Sequence, residues 1–188
     1  MRLLRVAQEL FARHGYEGTS NRTIAKASGI TSGAIYHYFP SKAELYAAVY
    51  EVVFDKVFTE FEKAVADHHT LVAQYAAVLD AAAVLNREDP LLPAFVIGVA
   101  SDSERNPELK QLLRPLRRRN NEFFRRLVAQ AAERGELAPG VDLRAVEDLL
   151  NAVVSGLARL SAITGDGKRH AAAVDALQRF FAGTLLTT

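Results

Sequence analysis

One short stretch of the sequence, residues 31–38, concentrates side chains that can donate hydrogen bonds to an anionic partner. It reads TSGAIYHY, and its last half supplies two phenols and an imidazole from Tyr36, His37 and Tyr38. The ammonium of Lys42 follows four residues later. Hydroxyl, imidazole and ammonium groups are all donors to phosphate oxygens. Small residues lead the stretch, so its backbone can approach a partner closely, and the pattern predicts a phosphate-contacting surface.

The alternative is that this stretch forms a buried aromatic cluster. Ile35 and Phe39 lie four residues apart and share one face of a helix, and we expect that face to be buried. Burying Tyr36, His37 and Tyr38 as well would require a partner for each polar tip within a seven-residue helix. We therefore expect a two-sided helix, with the aliphatic face inward and the three polar rings outward.

Helical periodicity and its punctuation predict the elements that position this helix. Apolar residues recur at helical spacing over residues 2–14, and Gly15 ends that helix. Ser20 can cap a second helix, and Thr31 can cap the short third one. The residues between them, Gly29-Ile30-Thr31, give the spacing of a helix-turn-helix, in which we expect Ile30 to fill the small core. The second helix of such a motif enters the DNA major groove.

The remaining sequence also predicts helices, without strand-like alternation of useful length. A capping box at Ser41–Glu44 opens a long fourth helix over about 42–66. The other helices are predicted over 70–87, from Asp89-Pro90, over about 106–134, over about 142–163 and over about 169–186. The fold class is therefore all-α with about nine helices, in two domains that meet near residue 45: a three-helix DNA-binding domain over 1–45 and a helical domain over 46–188.

Composition excludes several classes of protein. The chain has 188 residues, is 49% hydrophobic and 24% charged, and contains no cysteine, which excludes disulfides, thiolate catalysis and cysteine-ligated zinc. No apolar run reaches the roughly 18 residues of a membrane helix, and charged residues interrupt the N-terminal MRLLRVAQELFARHG. We therefore expect a cytoplasmic protein that does not engage a membrane.

Charge is distributed unevenly. Residues 1–50 hold six Lys/Arg and three acids, whereas the rest holds 17 and 19, so a basic N-terminal segment precedes an acidic body. Paired carboxylates, a nucleophile with its base, a phosphate loop and a metal cluster do not appear, so we expect no enzyme, metal or cofactor. A helical carrier or binding module without a DNA role is the alternative, and the polar leading edge of 31–38 argues against it.

Residues 3–50 resemble the DNA-binding domain of the tetracycline-repressor (TetR) family. The segment LFARHGYEGTSNRTIAKASGITSGAIYHYFPSKAELYAAV contains F-x-x-x-G-Y-x-x-T-S, then I-A-x-x-x-G-I, then G-x-I-Y-x-Y-F-x-S-K-x-x-L, with unbroken spacing. The rest is similar to the family in length and helical plan. The resemblance implies a homodimeric repressor that leaves its double-stranded DNA operator when a small molecule binds the C-terminal domain.

The resemblance also implies which residues contact DNA. They occupy the starts of the second, third and fourth helices and the outer face of the third: Ser20, Arg22, Thr31, Ser32, Gly33, Ala34, Tyr36, His37, Tyr38 and Lys42. Bases face Thr31 to Ala34 in this scheme, and phosphates face Ser20, Arg22 and Lys42. Two departures from the family pattern, Thr23 and Ala34, concern the operator sequence rather than the DNA-binding role.

The C-terminal part offers candidates for an effector cavity and for a dimer interface. The cavity candidates are apolar or aromatic: Phe58, Phe61, Tyr75, Leu79, Phe95 and Phe124. Ordinary core packing is the alternative for each, and a buried Tyr75 phenol would need a partner, for which a ligand is one source. The interface candidates form an apolar stripe on the last two helices: Leu149, Val153, Leu157, Leu160, Leu177 and Phe181. Two copies of this stripe predict a four-helix bundle, and burial within one monomer is the alternative.

Together these patterns predict a ligand-responsive, DNA-binding transcriptional regulator. We expect a homodimeric repressor that a small apolar or aromatic effector releases from a near-palindromic operator. Two recognition helices about 34–36 Å apart would match successive major grooves on one face of the DNA.

Overall fold

The computed structural model describes residues 2–185, and within them the chain forms nine α-helices and no strand. The helices are α1 (Arg2–His14), α2 (Asn21–Ser28), α3 (Ser32–Tyr38), α4 (Lys42–Val65), α5 (Leu71–Glu88), α6 (Leu92–Arg105), α7 (Pro107–Glu133), α8 (Leu143–Thr164) and α9 (Gly167–Phe181). The all-α prediction is confirmed. The last helix ends five residues before the predicted end at 186, which lies outside the described residues.

Local hydrogen bonds explain where the short helices begin and end. The hydroxyl of Ser20 accepts the backbone N–H of Thr23 at 3.1 Å, and that of Thr31 accepts the N–H of Ala34 at 3.2 Å. Each cap satisfies one of the backbone donors that a helix leaves without a partner in its first turn. Gly29 ends α2 with a φ of +71°, a conformation that a side chain would disfavour.

The chain divides into two compact units, each built from two segments. The first unit combines the chain up to Lys56 with Leu91–Arg118, and the second combines Val57–Pro90 with the chain from Arg119 onward. This packing division differs from the predicted boundary at residue 45. The reason is that α6 packs against α1, so a segment distant in sequence joins the N-terminal helices.

The core of the first unit is an aromatic cluster around Tyr46. Its ring lies 4.7 Å from that of Phe11, 5.4 Å from that of Tyr16 and 5.3 Å from that of Phe95, measured between centroids. Phe11 belongs to α1, Tyr46 to α4 and Phe95 to α6. These contacts bury Tyr46 completely and hold the base of the helix-turn-helix in place.

In the second unit, α5 packs against α8 and α9, and α8 packs against α9. Tyr75 on α5 is buried, and its hydroxyl donates to the backbone carbonyl of Leu150 at 2.8 Å. None of the helices over the described residues is long and apolar enough to cross a membrane. The same residues contain no cluster of three or more His, Cys, Asp or Glu side chains able to hold a metal ion.

Candidate nucleic-acid interface

Helix α3 has two sides of different character. Ile35 is fully buried and Phe39 is half-buried, whereas Tyr36 and Tyr38 expose 53% and 72% of their surface and His37 is also exposed. The rings of His37 and Tyr38 meet edge to face, with centroids 5.0 Å apart. The helix is therefore two-sided as expected, and its three polar-tipped rings form an outward surface.

The leading end of α3 is small and accessible. Gly33 is exposed, and Ser32 and Ala34 are half-buried. The hydroxyl of Thr31 accepts a hydrogen bond from within the helix but keeps its own proton, so it can still donate to a DNA acceptor. The backbone at this end of the helix can therefore approach DNA as closely as contacts with bases require.

The start of α2 shows how the sequence replaces a missing acid. Ser20 Oγ lies 2.8 Å from Thr23 Oγ1, so the two hydroxyls hydrogen-bond to each other at the cap. Thr23 thus interacts with the capping side chain at the position where an acidic residue is common in the family. Arg22, between them, is exposed. Its guanidinium is free of the cap and accessible to a phosphate.

Ile30 does not fill the core of the turn, contrary to expectation, because 40% of its surface is exposed. Its backbone N–H donates to the carbonyl of Ala25 at 3.1 Å, and the N–H of Gly29 donates to that of Lys26 at 3.3 Å. This pair of bonds is a Schellman motif. Ile30 therefore stabilises the turn through its backbone hydrogen bond, whereas the side chains of Ile24 and Ala25 fill the core.

Lys42 makes contacts within the protein that its sequence position did not suggest. Its ammonium donates to the backbone carbonyls of Tyr16 at 2.7 Å and Thr19 at 3.0 Å. The same nitrogen lies 4.0 Å from the centroid of the Tyr16 ring, a cation–π arrangement. Lys42 therefore holds the connection between α1 and α2, and one of its three N–H groups remains for a phosphate.

Sequence reasoning missed two residues that support this surface. Thr19 is buried, and its hydroxyl lies 2.8 Å from the carbonyl of Gly15 and 3.2 Å from that of Leu10. On α6, Asp102 Oδ2 accepts the backbone N–H of Tyr16 at 3.1 Å and the phenol of Tyr46 at 2.9 Å. Thr19 lies within the matched motif, whereas no local pattern indicates Asp102.

The phenols around this network stay protonated. Burial, together with the nearby carboxylates of Glu108, Glu17 and Asp102, raises the pKa of Tyr16 to about 12. Burial also raises the pKa of Tyr46, and the Asp102 carboxylate adds to the effect. A carboxylate beside a phenol disfavours the phenolate, so Tyr46 remains a hydrogen-bond donor.

The predicted effector residues do not all come together. Phe58 and Phe61 lie within 6 Å of the Phe123 ring, and Phe123 lies 5.1 Å from Phe124 between centroids. Tyr75 lies 6.5 Å from Phe124, and Leu79 is buried in the same unit. The five rings among them form an aromatic cluster in the second unit.

Phe95 belongs to the first unit, where it packs on Tyr46. The Tyr75 phenol already has a protein partner in the Leu150 carbonyl, so it does not require a ligand to satisfy it. The second unit contains two cavities, of about 220 and 570 Å³. None of the six residues predicted to line an effector cavity lines either of them. Cavity lining by the six stays a prediction.

The predicted interface residues lie on α8 and α9, and none of them is fully buried. Leu149 and Phe181 are exposed, and the other four are half-buried: Val153, Leu157, Leu160 and Leu177. Leu149 exposes 56% of its surface, and Phe180 and Ile163 are also exposed on these helices. The structure thus leaves part of the apolar stripe uncovered within one chain.

A short helix anchored by Ile35 presents donors and small residues outward, and a capped helix precedes it across a glycine turn. This fold and this surface define a helix-turn-helix DNA-binding protein. Comparison with known families agrees: residues 3–49 match the family described as bacterial regulatory proteins of the tetR family, and residues 65–177 match the tetracyclin repressor-like C-terminal domain. The chain belongs to the TetR family and is a DNA-binding transcriptional regulator.

Individual proteins show the same likeness. The HTH-type transcriptional regulator UidR of Escherichia coli (strain K12) is 25% identical over 149 residues, which are 79% of this chain and 74% of UidR. A TetR transcriptional regulator from Chloroflexus aurantiacus has a solved structure with a TM-score of 0.78 and 29% identity, covering 96% of this chain and 92% of its own. FadR from Bacillus subtilis, solved in complex with stearoyl-CoA, shares the fold with a TM-score of 0.85, 18% identity and 99% coverage of both chains.

Proposed function

We propose that this regulator is a homodimeric repressor that a small apolar or aromatic effector releases from a near-palindromic operator. The observation that carries the DNA-binding part is the outward face of α3, where Tyr36, His37 and Tyr38 are exposed on a helix anchored by buried Ile35. The ten residues assigned to DNA would contact it as the family resemblance implies, with bases at the leading end of α3 and phosphates around it.

The domain roles follow from this scheme. The DNA-binding role falls to residues 1–45 and the effector and dimer roles to residues 46–188, a division supported by the separate family matches at 3–49 and 65–177. Helix α4 contributes to both packing units, so it is the element through which we expect an effector to act on DNA binding. Operator DNA lies in the bacterial cytoplasm, where we place the protein.

Dimerisation is supported by the uncovered stripe on α8 and α9. Leu149 and Phe181 are exposed apolar residues, and large exposed apolar side chains gathered on one face are typical of an interaction site. A second copy of the stripe would cover the first in a four-helix arrangement. Two recognition helices would then address two half-sites of one operator.

An apolar effector is supported by the aromatic cluster of the second unit. Phe61, Phe124 and Tyr75 are buried there among other rings, so an effector that entered between them would meet an apolar environment with few polar groups. FadR of Bacillus subtilis, which shares this fold, was solved with stearoyl-CoA, so the fold accommodates a ligand that carries a long apolar acyl chain. A ligand that prefers a conformation incompatible with DNA would shift the population towards release.

DNA binding is the step to test first. Fluorescence anisotropy can measure binding to the DNA upstream of the protein's own gene. The logarithm of the association constant should fall linearly as the logarithm of the salt concentration rises. Tyr38→Ala should weaken this binding about tenfold or more, the loss expected for a hydrogen bond to a charged phosphate. Val72→Ala, an exposed change on α5, is the control that should bind like the parent. Unchanged operator binding by the Tyr38 variant would exclude the α3 face as the DNA contact.

A further inference from the structure

A cavity of about 220 Å³ lies in the second unit, where the end of α5 meets the joint between α8 and α9. This volume is well above the minimum that a single water molecule needs, so the cavity has room for a small metabolite. The polar lining comes from Asn86, Arg87, Ser161 and His170, and the apolar lining includes Ala83 and Pro90. The aromatic residues assigned to the effector do not contribute to it.

The imidazole of His170 is the feature that indicates a ligand. His170 is 98% buried, since only 2% of its surface is exposed, and its Nδ1 lies 3.1 Å from the carbonyl oxygen of Leu157. A carbonyl only accepts, so Nδ1 carries the proton. Burial lowers the pKa of His170, which keeps the ring neutral and leaves a lone pair on Nε2.

No protein group among the described residues pairs with Nε2 of His170, although this atom is buried. An unpaired acceptor inside a protein is costly, and the large majority of such groups have a partner. Because the ring is neutral, any group that pairs with Nε2 must be a hydrogen-bond donor. A hydroxyl group of a bound molecule meets that requirement.

The charge of the residues that line the cavity indicates a second chemical group on the ligand. Among the described residues that line the cavity, Arg87 is the one with a permanent positive charge, and none carries a carboxylate. The side-chain stem of Arg87 passes Gly167, with its Cγ 3.6 Å from the position that a Cβ would occupy on that glycine. A guanidinium beside a cavity without acids favours an anion, and its planar fork matches a carboxylate.

We propose that this cavity binds a small hydroxylated monocarboxylate. The carboxylate pairs with Arg87, the hydroxyl donates to Nε2 of His170, and a short aliphatic chain lies against Ala83 and Pro90. Asn86 and Ser161 supply further hydrogen bonds to the polar end. The site shares no residue with the aromatic effector cluster, so it stands or falls independently of the repressor assignment.

Calorimetric titration of the full chain with 2-hydroxyisocaproate tests the proposal. This molecule carries the hydroxyl, the carboxylate and an aliphatic chain, whereas isocaproate lacks the hydroxyl and 2-hydroxyisocaproamide lacks the charge. We expect the hydroxy acid to bind about tenfold or more tightly than either analogue, since each lost hydrogen bond to a buried or charged group costs about that factor. Equal binding by the three molecules, or no binding up to about 10 mM, a limit beyond which affinity is negligible, would overturn the proposal.

Two variants locate the site. Arg87→Gln should weaken binding of 2-hydroxyisocaproate about tenfold or more because it removes the charge-assisted pair. Arg169→Gln removes an equal charge from an exposed position on α9 outside the lining, and its affinity should equal that of the parent. If both variants bind like the parent, the ligand is held elsewhere and the site is wrong.

Nuclear magnetic resonance adds a readout that needs no substitution of a buried residue. The ¹⁵N shift of His170 Nε2 should move on addition of 2-hydroxyisocaproate, as expected for a nitrogen that gains a hydrogen bond, while Nδ1 keeps its proton. Binding that leaves the His170 signals unchanged would contradict the assignment of the hydroxyl to Nε2.

Discussion

The phenol of Tyr46 donates a 2.9 Å hydrogen bond to Oδ2 of Asp102, and the same oxygen accepts the backbone N–H of Tyr16 at 3.1 Å. One carboxylate on α6 therefore joins α4 to the connection between α1 and α2. Both hydrogen bonds involve buried donors, since Tyr16 and Tyr46 are almost fully enclosed. The relationship makes α6 a structural part of the first packing unit, which contains the helix-turn-helix.

We expect Asp102→Ala to lower the free energy of unfolding by about 1–3 kcal/mol, because it leaves the Tyr46 phenol buried without an acceptor. Tyr46→Phe removes the hydroxyl and with it the requirement for an acceptor. It should therefore lower the free energy of unfolding less than Asp102→Ala does. In urea unfolding, the double variant should be less destabilised than the sum of the two single ones. Strict additivity would show that the hydrogen bond does not contribute.

The raised pKa of Tyr16 predicts that the folded protein loses stability at alkaline pH. Its pKa is raised from the ordinary value of 10.0 to about 12 by burial and by nearby carboxylates. Between these two values the unfolded chain releases the phenol proton and the folded chain keeps it, so stability is full below about pH 10 and falls as pH rises towards 12.

The measurement is chemical unfolding at a series of pH values, compared with Tyr16→Phe. The variant has no proton to lose at this position, so its stability should fall less steeply than that of the parent between pH 10 and 12. Absorbance of the phenolate at these pH values gives an independent titration. Parallel curves for the two proteins would assign the alkaline loss to other groups.

Substitution of Lys42 can distinguish a structural role of this lysine from a direct contact with DNA. Lys42→Gln should lower the free energy of unfolding by about 1–2 kcal/mol, because the ammonium holds two backbone carbonyls in a half-buried position. Lys26→Gln, an exposed change on α2, is the matched control for stability.

The salt dependence of operator binding then tests the third N–H of Lys42. A direct phosphate contact predicts that Lys42→Gln reduces the slope of log affinity against log salt by about one. A purely structural lysine predicts an unchanged slope with reduced stability. Parental stability and affinity together would contradict both roles.

Leu149 tests the interface on α8. Leu149→Glu should weaken self-association about tenfold or more, since it introduces a charge into the centre of an apolar contact. Val72→Glu changes a residue with almost the same exposure on α5, 54% against 56% for Leu149, and should leave the assembly unchanged. Light scattering coupled to size-exclusion chromatography measures the mass of both variants. A Leu149 variant that remains dimeric would place the interface on another face.

Much of the N-terminal architecture could be predicted because its determinants are local. Ser20 and Thr31 cap helices within three residues, Gly29 ends α2 through its own backbone conformation, and Ile35 faces inward by helical periodicity. Ile30 was predicted wrongly because its apolar side chain suggested burial, whereas the turn uses only its backbone.

The amino-acid sequence by itself determined the helical content, the helix-turn-helix and the two-sided α3, since caps, glycine turns and periodicity act over a few residues. The tertiary structure decided which distant groups meet. Asp102 lies 86 positions from Tyr16 and 56 from Tyr46, and the ring of His170 reaches Leu157 on another helix. Such pairings depend on how helices pack, and packing is set by the shape of whole surfaces, so no local pattern along the chain reveals them.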